Sequence, residues 1–122
     1  MVQTATAGGN GVVMLPVAAG STAAFAVAAQ NNTLNNYPNG TVSVNVGSLP
    51  LSATICQTAM SGQCLSAPAN PVVGSFASGQ SETYSVFLTS QGIPINNGTV
   101  TVTFEDMNGL QLGSGSVQVD TY

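Results

Sequence analysis

The chain has 122 residues, enough for one domain with its own core and too few for two comfortable ones. It contains no Lys, Arg or His, and its four acids, Glu82, Glu105, Asp106 and Asp120, set the net charge at -4. That balance excludes nucleic-acid binding, which rests on cations neutralising phosphates, and it leaves acid–base and nucleophilic catalysis without their usual bases.

Taken in order, the segments repeat with a period of two. Met1 to Ala7 is uncharged and β-prone, and Gly8-Gly9 follows it as a hinge. Residues 2–6 read as a strand, and 1–9 as a possible donor or linker arm. The arm lacks the basic segment of a signal peptide, so a removed signal or a module excised from a longer chain is expected. Strands near 11–17 and 22–29 come next. Their apolar stretches, Gly11 to Ala19 and Thr22 to Ala29, are far shorter than the roughly 18 residues of a membrane-spanning helix, so no insertion is expected. Ser21 to Ala29 has the alanines of a short helix, but Phe25 and Val27 alternate, and a strand is expected.

Gln30 to Asn39 reads as a polar loop. After it, Val42, Val44 and Val46 face one way and Thr41, Ser43 and Asn45 the other. Further strands are expected near 52–58, 63–66 and 72–76, with a loop over Ser66 to Pro71. In Thr83 to Thr89, Tyr84, Val86 and Leu88 form one face and Phe87 lies on the other. Val100, Val102 and Phe104 alternate with threonines, and Val117 and Val119 alternate with Ser116, Gln118 and Asp120. Asn-Gly, suited to the positive φ of tight hairpin turns, occurs at Asn10, Asn39, Asn97 and Asn108. The last of these should join a strand over 99–105 to one over 111–120. Seven to nine short strands with such punctuation predict an all-β, antiparallel sandwich of immunoglobulin-like type over residues 1–122.

Cys56 and Cys64 are the two cysteines of the chain. With no His and no third Cys they cannot complete a zinc site, and their spacing is not C-x-x-C. They flank Ser61-Gly62, a turn signal that would set them opposite each other. A structural disulfide is expected, contributing on the order of 2–3 kcal/mol and pointing to an oxidising, extracytoplasmic compartment. The alternative is two buried thiols acting as small hydrophobes.

The remaining candidates are weaker. Asn31, Asn39 and Asn97 open N-x-[ST] acceptor triplets for N-glycosylation. Glu105 to Gly109 offers hard oxygens without the full calcium-loop pattern; a hairpin turn held by Asp is the plainer reading. The four carboxylates could serve a glycosidase only as a facing pair, and solvated or turn-capping acids are the alternative. No catalytic residue, metal or cofactor is expected.

Leu49 to Thr58, then Ser61-Gly62-Gln63-Cys64-Leu65 and Pro68, resemble the Cys-hairpin of an immunoglobulin-like module of large secreted bacterial surface proteins. Tyr84 to Thr89, Gly92-Ile93-Pro94, Val102 to Gly109 and Gly115-Ser116-Val117 continue the likeness over residues 40–120. Where such modules carry arginines, this chain reads Asn96-Asn97-Gly98 and Leu112-Gly113-Ser114, so no charge-based contact carries over. The resemblance implies a scaffold and brings no catalytic residues.

Sheet edges are normally guarded by Lys, and none is available here. The expectation is therefore a non-enzymatic building block of a surface fibre, surface layer or multidomain surface protein, extracellular or at the cell surface. It would pair strands with other copies or neighbouring domains, with Met1 to Ala7 as the donor. The competing class is a carbohydrate-binding module, for which Tyr37 is the one expected exposed platform for a glycan.

Overall fold

The computed structural model describes residues 2–6 and 9–122. Nine strands and no helix are present among them: β1 Val2–Ala5, β2 Val12–Leu15, β3 Thr22–Gln30, β4 Tyr37–Asn45, β5 Leu51–Thr58, β6 Val72–Phe76, β7 Ser81–Ser90, β8 Gly98–Glu105 and β9 Gln111–Thr121. They form two sheets, ordered β1-β3-β7-β5 and β2-β9-β8-β4-β6. The alternation is what builds the sandwich. In β8, Gly98, Val100, Val102 and Phe104 are buried while the residues between them are more exposed. In β7, Tyr84, Val86, Leu88 and Ser90 form the inward row.

Register turns these rows into one core. Val42 pairs with Phe104 and Val44 with Val102, and Val100 pairs with Val117. On the facing sheet Phe25 pairs with Val86, and Val86 with Ile55. All of these belong to a single buried cluster. The alanines of β3 do not make it helical, because the alternating Phe25 and Val27 bury one face only as a strand.

Four expectations are corrected. The sandwich is not wholly antiparallel: β2 runs parallel to β9, with Val13 beside Val119. Residues 63–66 form no strand, only an isolated bridge from Cys64 to Thr58. The stretch Gln30 to Asn39 is loop only over 31–36, because β4 begins at Tyr37 and passes through Asn39-Gly40 with a register shift. Finally, only Asn108-Gly109 sits in a hairpin. The pairs at Asn10 and Asn97 link strands of opposite sheets, a span no two-residue turn can cover. There the dipeptide supplies positive φ alone, at Gly11 (76°) and Asn97 (56°).

The arm is folded onto its own sandwich. Val2 pairs with Ala29 and Ala5 with Ala26. Met1, Ala7 and Gly8 of the expected donor-and-hinge segment lie outside the described residues.

Candidate functional site

Registers place the end of β3 beside the start of β7, the start of β4 beside the end of β6, and the end of β8 beside the start of β9. At that end of the sandwich the two sheets leave a cleft of about 130 Å3. Its walls include Val2, Ala29, Tyr37, Phe76, Phe104 and Leu112, and among the described residues the one charged side chain lining it is that of Glu82. The period of two explains this placement. Glu82 precedes Tyr84, Val86 and Leu88 by the same alternation, so it stands in the inward row where that row meets the open end.

Tyr84 is 1% exposed, and its hydroxyl donates to Glu82 Oε2 at 2.6 Å. Burial, and then the bond to Glu82 and its charge, hold the phenol far above the ordinary tyrosine range. The hydroxyl therefore stays a donor. Phe104 meets the Tyr84 ring edge-on at 5.4 Å and the Phe76 ring at 5.7 Å.

Asn31 builds one rim. Its amide nitrogen donates to the carbonyls of Asn35 (2.8 Å) and Phe76 (3.0 Å). Its oxygen accepts from the Thr33 amide and hydroxyl, and its backbone bonds both ways across the loop before β7, with Gln80 and Gly79. Both amide hydrogens are thus committed, and a glycan on that nitrogen would break at least one of these bonds. Asn39 and Asn97 are exposed, and both adopt positive φ, a conformation that Asn tolerates. Tyr37 is not the exposed platform that a sugar would stack on: it is half-buried against the core.

Of the other three acids, Asp106 and Asp120 accept backbone N–H bonds. Asp106 Oδ1 accepts from the Asn108 and Leu110 amides at 2.9 and 2.8 Å, the geometry of a capped hairpin rather than of a calcium loop. Asp120 Oδ1 accepts from the Asn97 amide at 2.7 Å. No group of three metal-ligating side chains comes together among the described residues.

Cys56 and Cys64 are joined as a disulfide, with Cα atoms 5.5 Å apart. They are not opposite each other, since Cys64 stands across from Thr58. The bridge ties the return segment to the outer side of β5, where Leu65 donates to Gln57 (2.8 Å), and Ile55 and Ala69 exchange bonds (2.8 and 3.0 Å). That strand is thereby covered without a lysine.

The inward placement of Glu82 was open to sequence reading, because the alternation through Tyr84 extends to it. Its polarity argues for solvent, and only the splay of the two sheets at this end reconciles the two.

No protein-family model matches the chain, and no curated protein does. Solved structures share the fold at low identity. The N-terminal domain of PorA is 16% identical with a TM-score of 0.56, over 99% of this chain and 97% of that one. AvmM, which catalyses macrocyclisation in alchivemycin A biosynthesis, is 12% identical with a TM-score of 0.59, over 98% and 88%. BcpA, the major pilin subunit of Bacillus cereus, is 11% identical with a TM-score of 0.56; 99% of this chain matches 40% of the pilin. One architecture therefore serves a pilin subunit, the PorA domain and a macrocyclisation catalyst, so the likeness shows the fold alone.

Proposed function

We propose that this chain is a non-enzymatic structural or adhesive building block of an extracellular surface fibre, surface layer or multidomain surface protein, joined to copies of itself or to neighbouring domains by β-strand pairing. The observation that carries the reading is the outer edge of β6. It ends its sheet, Val73 on it is 70% exposed, and no Lys or Arg exists to guard it. The other edges are less available. The disulfide-bound return segment lies along β5, β1 lies against β9, and β2 lies against β3. With the arm already paired to β3, β6 replaces it as the edge for assembly.

The similarity to a pilin subunit supports a surface role, and the disulfide suits an oxidising compartment. AvmM shows that the fold can host catalysis. Here, however, two of the four carboxylates cap backbone N–H groups, and no His or Lys is present to act as a base.

Sedimentation velocity over a concentration series tests the reading. The wild-type protein is expected to form larger species, and Val73→Lys is expected to stay monomeric with an unchanged fold, since a lysine on an edge blocks strand addition. A wild-type protein that remains monomeric at millimolar concentration, or one that binds glycans on an array without associating, would defeat it.

A further inference from the structure

Glu82 is a carboxylate that faces an apolar cleft between two sheets, and the chain has no cationic side chain to meet it. A buried or half-buried charge is costly unless paired. The Tyr84 hydroxyl satisfies part of Oε2, and the rim residues Gln30, Asn31, Asn32, Thr33 and Gln80 are all neutral.

We propose that this cleft is a binding site for a primary alkylammonium group, and that its occupant is a lysine side chain presented by a different protein. Three features select that chemistry. The volume, about 130 Å3, approaches the roughly 150 Å3 of an apolar cavity that accepts benzene, so a four-methylene stem fits. The walls are aliphatic and aromatic, with Tyr37, Phe76 and Phe104 among them, and are suited to burying such a stem while its charged head stays at the open end. The carboxylate already accepts the Tyr84 hydroxyl on one oxygen. A planar guanidinium uses both oxygens as a fork and would compete with that bond, whereas an ammonium can approach the other oxygen as a point charge. A second copy of this chain has no cationic side chain to offer, so the partner is a different protein. The site is independent of strand pairing at β6, and Val73→Lys should leave it intact.

The test is a 15N–1H correlation titration of the whole chain with Nα-acetyl-lysine methylamide, n-butylammonium, n-butanol and Nα-acetyl-arginine methylamide. The two ammonium probes are expected to shift the amides of Gln80, Leu112 and Gly113 saturably. The alcohol and the arginine probe should bind about tenfold more weakly or worse, and Glu82→Gln should weaken the ammonium probes by about tenfold or more. The glutamine retains an acceptor for Tyr84, and its own spectrum reports whether the fold survives. Equal binding of n-butanol and n-butylammonium overturns the proposal, and this comparison stands in the wild-type protein alone should the variant not fold. So do a preference for arginine, unchanged affinity in a folded Glu82→Gln protein, or no shift at the cleft. Binding of n-butylammonium without the lysine derivative overturns the assignment to a side chain.

Discussion

Phe104 touches both partners of the aromatic set at the open end of the sandwich, with Phe76 and Tyr84 each edge-on to it. Gly74 belongs to the same set, since a Cβ there would stand 3.2 Å from the Tyr84 hydroxyl and 3.3 Å from Phe76. The missing side chain leaves the phenol room to reach Glu82. Phe104 is 3% exposed, so Phe104→Ala should cost roughly 3–5 kcal/mol in urea denaturation. A loss below about 1 kcal/mol would mean that the ring is not packed as described. Phe104 was legible from alternation with threonines. The Tyr84–Glu82 bond was not, because two residues of one row meet only when the tyrosine side chain points along the strand toward the open end.

At the scale of elements, β9 shows a sequence choice that only its neighbour explains. Gly113 and Gly115 sit where strand residues with side chains would be expected, and neither has a positive φ. A Cβ at Gly113 would lie 3.0 Å from Val2, and one at Gly115 would lie 3.1 Å from Val2 and 3.2 Å from Thr4. The two glycines thus make the seat for β1, and the Thr4 hydroxyl donates to the Ser116 carbonyl there. Gly115→Val should therefore destabilise the protein by about 1–3 kcal/mol through overpacking, despite valine's better strand propensity. In a protein lacking Met1 to Ala7 the same substitution should be neutral or stabilising. Calorimetric midpoints of the four proteins in that cycle decide it, and a destabilisation equal in both backgrounds would show that β1 does not sit on β9.

For the whole molecule, the absence of cationic side chains removes side-chain ion pairs from both stability and association. What holds the sandwich is the shared core, together with ladders and side chains that stand in for backbone. The Asn70 amide, for example, exchanges bonds with Val44 at 2.9 and 3.0 Å, extending the sheet past β6. Raising NaCl from about 0.05 to 0.5 M should change the association constant by less than about threefold, since screening acts on charges that take no part. Strong dissociation by salt, measured by sedimentation, would show that assembly rests on charge and not on backbone pairing.

Local rules account for much of this protein. Alternating apolar residues mark most of the strands and nearly the whole core, because a pleated strand buries every second side chain whatever it pairs with. The hairpin at Asn108-Gly109 is equally local, joining strands adjacent in both sequence and sheet. Partner identity is not local. Which sheet receives β1 and β2, why β2 runs parallel to β9, and why three Asn-Gly pairs are not hairpins depend on segments as far apart in sequence as Val12 and Gln118. The cleft is decided last of all: its Glu82 follows the period of two like any core residue, yet only where two sheets part can that row hold a carboxylate and leave space in front of it.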